Sequence, residues 1–288
     1  MIRNRLLSAL ILVPVVLGLT YLGGAWFLGL VLLVLTLAGR EYANLLKHQD
    51  GGPSAVFVIA IIWVFVLDAH FFNGRLLRPG LSACVLGMLA WAIVRYERGH
   101  ESAAMDWAWT AAGGLYVGWT GAHFVLLRDL NAPSQINLLA PAHGEGLSWA
   151  ILALAVAWLS DTGAYIVGRA RGRRKLSPHV SPLKTWEGYA GGVVCATLSG
   201  FVVVALIRFL APLLGESTTL SLWEGGALGL LVSVFAPLGD LGESMIKRHA
   251  GAKDSGQLIP GHGGMFDRLD SLLWAAVIAF YYASWVAR

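Results

Sequence analysis

Residues 6–39 read LLSALILVPVVLGLTYLGGAWFLGLVLLVLTLAG, a run of 34 residues without Asp, Glu, Lys or Arg. A single helix of that length would extend about 50 Å, whereas the hydrocarbon core of a bilayer is about 30 Å thick. The Gly23-Gly24 pair inside the run permits a tight break in the chain. We therefore predict two membrane helices here, over residues 5–22 and 25–46.

The start of this run also has features of a signal peptide, because Arg3 and Arg5 precede an apolar core. The apolar residues continue, however, without a cleavage site of the A-x-A type near Gly23. We therefore expect the first segment to be retained as a helix.

The composition of the whole chain indicates a membrane protein. Of its 288 residues, 57% are hydrophobic and 13% are charged, and the mean hydropathy is +0.65. An ordinary soluble domain has about a quarter of its residues charged. This composition excludes a soluble globule and a disordered chain. The two cysteines, Cys84 and Cys195, are too few for a disulfide scaffold.

Seven more apolar segments predict an all-α polytopic integral membrane protein with about nine transmembrane helices. These segments are 54–72, 79–95, 105–127, 147–168, 187–210, 222–246 and 269–286. With this count, 16 of the 21 Lys and Arg residues fall on the side of the N-terminus and five on the other side. Because positive residues concentrate in cytoplasmic loops, we expect a cytoplasmic N-terminus.

Polar residues divide the chain into two parts. Residues 1–146, with helices one to five, carry few of them and are predicted to be a transmembrane scaffold. Residues 147–288, with helices six to nine, carry dense clusters of acids and are predicted to be the catalytic part. The cytoplasmic loops of this part are expected at 169–186 and 247–268.

A charge inside a bilayer costs about 2.5–3.5 kcal/mol on insertion scales, so each one needs an explanation. Asp161 lies near the cytoplasmic end of the predicted sixth helix. It is either a packing acid, bonded to a neighbouring helix, or a functional residue.

A second group of charges ends the predicted eighth helix. Asp240, Glu243, Ser244 and Lys247 have the spacing i, i+3, i+4 and i+7, which places them on one helical face. Glu243 can pair with Lys247, and the group is then a salt-bridged helix end. Such a pair leaves Asp240 deeper and without a partner, which favours a functional site.

The loop between the eighth and ninth helices carries candidate metal ligands. Asp267 and Asp270 are three residues apart at the start of the ninth helix, where Asp267 can also act as an N-cap. Together with Asp240 they can supply oxygens to a hard cation. Mg²⁺ prefers one or two carboxylates, several waters and substrate phosphates. Zinc is disfavoured, because no Cys is near and His262 has no partner at ligand spacing.

Glycines surround His262 directly before a helix start. Backbone amides without side-chain bulk can form a nest for an anion, and a helix N-terminus favours negative charge. Lys253 and Arg268 lie in the same loop, so the segment predicts a phosphate site. The glycines are Gly261, Gly263 and Gly264.

The loop after the sixth helix begins with a basic run over 169–175, for which we expect contact with anionic headgroups. Residues 176–188 then contain Ser-Pro twice, followed by Lys184 and Thr185, which predicts a constrained polar turn. Its hydroxyl and ammonium donors suit a phosphate. Trp186 is equally well a residue of the interfacial aromatic belt.

These residue types exclude several reaction classes. The sequence has no G-x-S-x-G, no paired metal-binding histidines and no P-loop motif. Transfer of a phosphoryl-type group needs positioning, a divalent metal and positive charge rather than a covalent nucleophile. A site at headgroup depth indicates a substrate that is partly lipid.

The same residues resemble a known family. Residues 244–248 (SMIKR), 253–254 (KD), 260–264 (PGHGG) and 267–270 (DRLD) are similar to the signature of phosphatidate cytidylyltransferases, also called CDP-diacylglycerol synthases. Other polar segments resemble further motifs of that family, and these are 158–165, 181–188 and Arg40-Glu41-Tyr42.

The resemblance implies the reaction CTP + phosphatidate → CDP-diacylglycerol + pyrophosphate in phospholipid synthesis. It also implies Mg²⁺, a possible second cation K⁺ and a homodimer. Separately, the distribution of Lys and Arg predicts a site that faces the cytoplasm, and we expect an inner-membrane location and no nucleic-acid partner. The metal ligands it implies are Asp240, Asp267, Asp270 and Glu243, and the catalytic set adds Lys247 and His262. The expected substrate-binding residues are Ser181, Lys184, Thr185, Lys253, Asp254, Gly263, Gly264 and Arg268.

Our mechanistic hypothesis is an in-line attack of the phosphatidate phosphate on the α-phosphorus of CTP, with Mg²⁺ on Asp240 and Asp267. Two alternatives remain at this point. A CTP-dependent polyprenol or phytol kinase would release CDP instead of pyrophosphate. A membrane transporter would place its acids near the bilayer midplane, in two related halves.

Overall fold

The computed structural model is almost entirely helical and describes residues 2–49, 51–131, 144–214, 218–256, 258 and 263–285. The helices are α1 (Ile2–Leu22), α2 (Gly24–Leu45), α3 (Ala55–Leu67), α4 (Leu77–Glu97), α5 (Ala103–Arg128), α6 (Glu145–Arg171), α7 (Trp186–Leu210), α8 (Leu222–Phe235), α9 (Pro237–His249) and α10 (Asp270–Trp285). The strands are β1 (Lys175–Ser177) and β2 (Ser181–Thr185).

Six helical segments in the described ranges are long and apolar enough to cross a membrane. They are Gly24–Leu45, Ala55–Phe72, Leu77–Glu97, Glu145–Arg171, Trp186–Leu214 and Leu222–His249. The protein is therefore an all-α membrane protein, as its composition predicts. The number of nine spans stays a prediction, because α1, α5 and α10 are not among these six.

The break predicted between the first two helices is confirmed. Gly23 has a backbone φ of 65°, in the left-handed region that favours glycine, and it separates α1 from α2. The buried guanidinium of Arg128 holds the end of α1 against α5. Its Nε donates to the Thr20 carbonyl at 2.6 Å and its Nη2 to the Tyr21 carbonyl at 3.0 Å.

Two predicted helices have a different form in the structure. The segment 222–246 is not one regular helix, because α8 ends at Phe235 and α9 begins at Pro237. Proline has no N–H to donate and is favoured at the first position of a helix, so the chain restarts there. The segment 54–72 is α-helical only to Leu67 and continues as a π-helical turn over Asp68–Phe72.

The central helix of the bundle is α5, which packs against α2, α3, α4, α6 and α10. Buried side chains from both predicted parts of the chain form one hydrophobic core, for example Ile62 of α3 and Leu273 of α10. A helix that is covered by protein on most sides needs less apolar surface towards lipid. This accounts for the many small and polar residues of α5.

Glycines bring α6, α7 and α8 into close contact. A Cβ on Gly163 would overlap Cys195 of α7, and a Cβ on Gly200 would overlap the backbone of Gly225 in α8. Such small-residue contacts are typical of helix pairs in membranes. On its other side α7 exposes a stripe of large apolar side chains, as expected towards lipid; these are Val194, Leu198, Val202, Leu206 and Phe209.

The polar loop between α6 and α7 folds into an antiparallel hairpin of β1 and β2. Lys175 pairs with Thr185 and Ser177 pairs with Ser181. The Glu187 carboxylate in the first turn of α7 accepts hydrogen bonds from the Arg173 amide at 2.9 Å and the Arg174 amide at 3.2 Å. The predicted constrained turn is therefore a hairpin tied to the start of α7.

Candidate active site

Five segments meet at one end of the bundle. The Ser271 hydroxyl of α10 donates to Asp161 of α6 at 2.9 Å. The Lys184 ammonium of the hairpin forms an ion pair with Asp240 of α9. Lys247, further along α9, donates to Asp267 in the short 3₁₀ turn Phe266–Arg268 before α10. Four of the predicted site residues take part in these contacts: Lys184, Asp240, Lys247 and Asp267.

The carboxylate of Asp267 is buried and accepts hydrogen bonds at both oxygens. Oδ1 accepts from Lys247 Nζ at 2.6 Å. Oδ2 accepts from the Ser255 amide at 2.8 Å, the Ser255 hydroxyl at 2.9 Å and the Gly264 amide at 2.9 Å. Asp267 therefore joins Lys247 of α9 to Ser255 and Gly264 of the loop.

Burial by itself would raise the pKa of the Asp267 carboxyl, but its contacts with Glu243 and Lys247 and the amides of Gly264 and Ser255 outweigh it. The pKa of Asp267 therefore lies well below its usual range. The acid is held as a carboxylate.

The pairing predicted within α9 is confirmed. Lys247 Nζ lies 3.0 Å from Glu243 Oε1, and Glu243 is fully buried. Lys247 therefore lies between two carboxyl groups, that of Glu243 on its own helix and that of Asp267 on the loop. The ammonium of Lys247, which is only 13% exposed, faces both acids and orients them towards itself.

The structure corrects the expectation that Asp240 has no partner. Its Oδ2 pairs with Lys184, and its Oδ1 accepts from the Ser244 hydroxyl at 3.4 Å. The partner comes from the hairpin, more than 50 residues earlier in the chain. Spacing within one helix does not reveal such a contact.

Three acids from three helices influence one another electrostatically at this end of the bundle. Asp161 of α6 and Asp270 of α10 each interact with Asp240 of α9, and they interact with one another. The bond from Ser271 to Asp161 agrees with the interpretation of Asp161 as an acid bonded to a neighbouring helix. Asp161 therefore lies near Asp240 and Asp270, two of the predicted site residues.

The glycine turn is ordered around Asp267. Gly263 has a φ of 78°, which favours glycine, and the Gly264 amide points at Asp267. That amide, predicted to bind an anion, is occupied by a protein carboxylate. Gly264 also has no room for a side chain, because Ser255 and Glu41 fill the space beside it. Gly261 and His262 lie outside the described residues.

The remaining predicted binding residues differ in their surroundings. Thr185 caps α7, since its hydroxyl oxygen accepts from the Gly188 amide at 3.1 Å. Ser181 lies in β2, and the Arg248 side chain reaches the hairpin through the Val180 carbonyl at 3.4 Å. Three other predicted binding residues, Lys253, Asp254 and Arg268, are exposed.

The sequence is similar to one protein family over almost its full length. A model of the cytidylyltransferase family matches residues 3–286. The chain belongs to the cytidylyltransferase family. It is therefore a nucleotidyltransferase, and its helices make it a membrane-bound member of the family.

Relatives named phosphatidate cytidylyltransferase match this family member over almost their full length. The relative from Brucella suis is 32% identical over 283 residues, with 98% of this chain and 93% of the relative covered. That from Synechocystis is 33% identical over 297 residues, covering 97% and 95%. That from Staphylococcus haemolyticus is 30% identical over 274 residues, covering 94% and 95%.

The four predicted metal ligands do not form one cage in this cytidylyltransferase. Among the residues that the structure describes, no group of three or more acids, histidines or cysteines is arranged to hold a metal ion. The physical reason is that Glu243 and Asp267 turn towards Lys247, whereas Asp240 turns towards Lys184. Metal binding by these acids stays a prediction.

One site residue was not assigned a role from the sequence. Glu41 of α2 accepts hydrogen bonds from the Phe266 amide at 2.9 Å and the Ser255 hydroxyl at 3.2 Å. In the sequence it belongs only to a three-residue resemblance near the end of the second helix. The local signal in the sequence is that Arg40 and Glu41 are the first charged residues after the apolar run 6–39.

Proposed function

We propose that the protein transfers the cytidylyl group of CTP to phosphatidate, forming CDP-diacylglycerol and pyrophosphate. One observation carries this proposal. Lys184 pairs with Asp240 and Lys247 pairs with Asp267, and two further acids, Asp161 and Asp270, lie near Asp240. Such a site offers cations for two phosphate-bearing substrates and oxygens for a divalent metal. The names of the relatives from Brucella, Synechocystis and Staphylococcus support the choice of substrates.

The proposed step is an in-line displacement. A phosphate oxygen of phosphatidate forms a bond to the α-phosphorus of CTP while the bond from that phosphorus to the β-phosphate oxygen breaks. Pyrophosphate leaves with the electron pair. Because the nucleophile is already an anionic oxygen, no strong general base is needed, and His262 is assigned to phosphate binding instead. Lys184 and Arg268 are proposed to offset the charge of the substrates and of the leaving group.

A divalent cation, proposed to be Mg²⁺, supplies charge neutralisation between the two anionic substrates. The donor set fits this ion, since Mg²⁺ takes one or two carboxylates together with waters and phosphates. We assign Asp240 and Asp270 as its protein ligands, with Asp161 beside them. Direct ligation by Asp267 would require its Oδ1 to leave Lys247. A second cation such as K⁺ is part of the same proposal.

The proposed arrangement in the membrane has nine spans with the N-terminus and the site on the cytoplasmic side of the inner membrane, and the protein as a homodimer. The asymmetry of Lys and Arg supports the orientation. Single cysteines introduced at Asp254 and at Arg75 would label from opposite sides of sealed vesicles. Labelling of both from one side would contradict this topology.

The enzymatic proposal is tested with purified protein, phosphatidate, Mg²⁺ and CTP labelled at the α- or γ-phosphate. We expect α-label in the lipid product and γ-label in pyrophosphate. A lipid kinase would instead place the γ-label in the lipid and release CDP. Absence of any labelled lipid with a folded protein would contradict phosphatidate as the acceptor of the transferred group. The Asp240→Asn variant serves as the site control and is expected to be inactive.

A further inference from the structure

We infer that Glu41, in the part of the chain predicted to be scaffold, is a positioning residue that holds the loop carrying Asp267. The inference rests on the proposed function for its kinetic consequence, but the contact itself concerns the structure alone. Glu41 Oε2 accepts from the Phe266 amide at 2.9 Å and from the Ser255 hydroxyl at 3.2 Å. These two donors lie at opposite ends of the loop between α9 and α10.

The carboxylate of Glu41 comes from a rigid support. The next residue, Tyr42, is buried, and its hydroxyl donates to the Trp109 carbonyl of α5 at 3.0 Å. The Tyr42 ring also packs edge-on against the ring of Phe266, with the centroids 5.8 Å apart. Phe266 is therefore held through its amide by Glu41 and through its ring by Tyr42, and it is fully buried.

Glu41 and Asp267 share the hydroxyl of Ser255. That hydroxyl lies 3.2 Å from Glu41 Oε2 and 2.9 Å from Asp267 Oδ2, and its one hydrogen can serve only one oxygen fully at a time. The Asp267 amide in turn donates to the same hydroxyl oxygen at 3.3 Å. A displacement of Glu41 therefore shifts Ser255 and, through it, the carboxylate that faces Lys247.

Gly264 provides an independent sign of the same contact. A Cβ at this position would overlap both Glu41 Oε2 and Ser255 Oγ. The glycine turn is thus packed directly on the carboxylate of α2. The last helix turn of the predicted scaffold is, on this inference, part of what shapes the phosphate-binding loop.

Variants can separate two properties of Glu41, its ability to accept hydrogen bonds and its negative charge. In Glu41→Gln the carbonyl oxygen can still accept from the Phe266 amide, although the negative charge is lost. In Glu41→Asp the charge remains, but the shorter side chain no longer reaches the loop. Glu41→Ala removes both. A matched control is Asn44→Ala, at an exposed position of the same helix end.

We expect kcat to fall about 10- to 100-fold in Glu41→Ala and Glu41→Asp, because two hydrogen bonds to a charged acceptor are lost. Glu41→Gln should lose least, about threefold or less by the same reasoning, and Asn44→Ala should match the wild type. Hydrogen exchange at the Phe266 and Gly264 amides should be faster in the Ala and Asp variants only.

Three outcomes would overturn the inference. If Glu41→Gln lost as much activity as Glu41→Ala, the charge rather than the acceptor would matter. If amide exchange in the loop were the same in all variants, Glu41 would not hold it. Failure of the proposed function is distinguishable, because an inactive wild type would leave the exchange measurement intact. Equal loss of thermal stability and activity in every Glu41 variant would also count against a positioning role.

Discussion

Replacing Asp267 by Asn should destabilise the protein strongly, because the carboxylate is held from both sides. The Asn carbonyl oxygen can occupy the place of Oδ2, but its amide then faces the Lys247 ammonium, and the ion pair is lost. The side chains of Asp267 and Lys247 are only 6% and 13% exposed, so solvent screens the pair little. Removing one member of a buried pair costs about 3–5 kcal/mol.

That free energy corresponds to a melting temperature lower by about 6–10 °C for a chain of this size. Thermal unfolding in detergent, followed by intrinsic tryptophan fluorescence, measures the difference. Asp254→Asn is the control, since it changes an exposed acid in the same loop and should shift the midpoint by less than about 1 °C. An Asp267→Asn variant that melts with the wild type would refute the reasoning.

The same assay with Mg²⁺ separates support of the loop from metal ligation by Asp267. A ligand that binds only the folded state raises its stability. If Asp267 acts only through Lys247, Ser255 and Gly264, Mg²⁺ should raise the melting temperature of wild type and Asp267→Asn by equal amounts. If Asp267 is a direct ligand, only the wild type should gain.

Three further outcomes are expected. Lys184→Met should lower kcat/KM about 100-fold, because Asp240 loses its cation and the substrates lose a positive charge. Lys184→Arg should recover part of the lost activity. Full activity of the Met variant would contradict this role of Lys184. Gly200→Ala should lower the free energy of unfolding by about 1–3 kcal/mol, measured by thermal unfolding, because the new methyl overlaps the Gly225 backbone. The control is Gly29→Ala, where a new methyl has nothing within 4 Å and should not destabilise the protein. Folding lowers the pKa of Asp267, so the carboxylate should stabilise the protein fully above about pH 4, the pKa of the unfolded chain, and this stabilisation should be lost as the pH falls further. If Asp267→Asn lost stability with acid in the same way as the wild type, this prediction would be wrong.

Much of the fold follows from local sequence. The segments predicted from hydropathy overlap the observed helices, and the break at Gly23 lies where glycine alone is favoured. The break before Pro237 was not predicted, because hydropathy runs straight through it. The hairpin of β1 and β2 was predicted only as a turn, because pairing of two short strands depends on contacts across the turn.

Some contacts of the candidate site could likewise be predicted from local sequence, and others could not. The pair of Glu243 and Lys247, four residues apart on α9, followed from helical periodicity. The partners of Asp240 and Asp267 did not, and the contact between Glu41 and Phe266 spans 225 residues of sequence. No periodicity connects residues at that separation.

By itself, the sequence determined that this chain lies in a membrane and where its helices are. It also determined which polar residues at the helix ends are candidates for a functional site. It could do so because hydropathy and helical spacing are properties of neighbouring residues. Only the tertiary structure decided which cation faces which acid, and that a helix of the predicted scaffold supports the Asp267 loop. Those partners are set by how the helices pack around α5, and packing depends on side chains that are far apart in the chain.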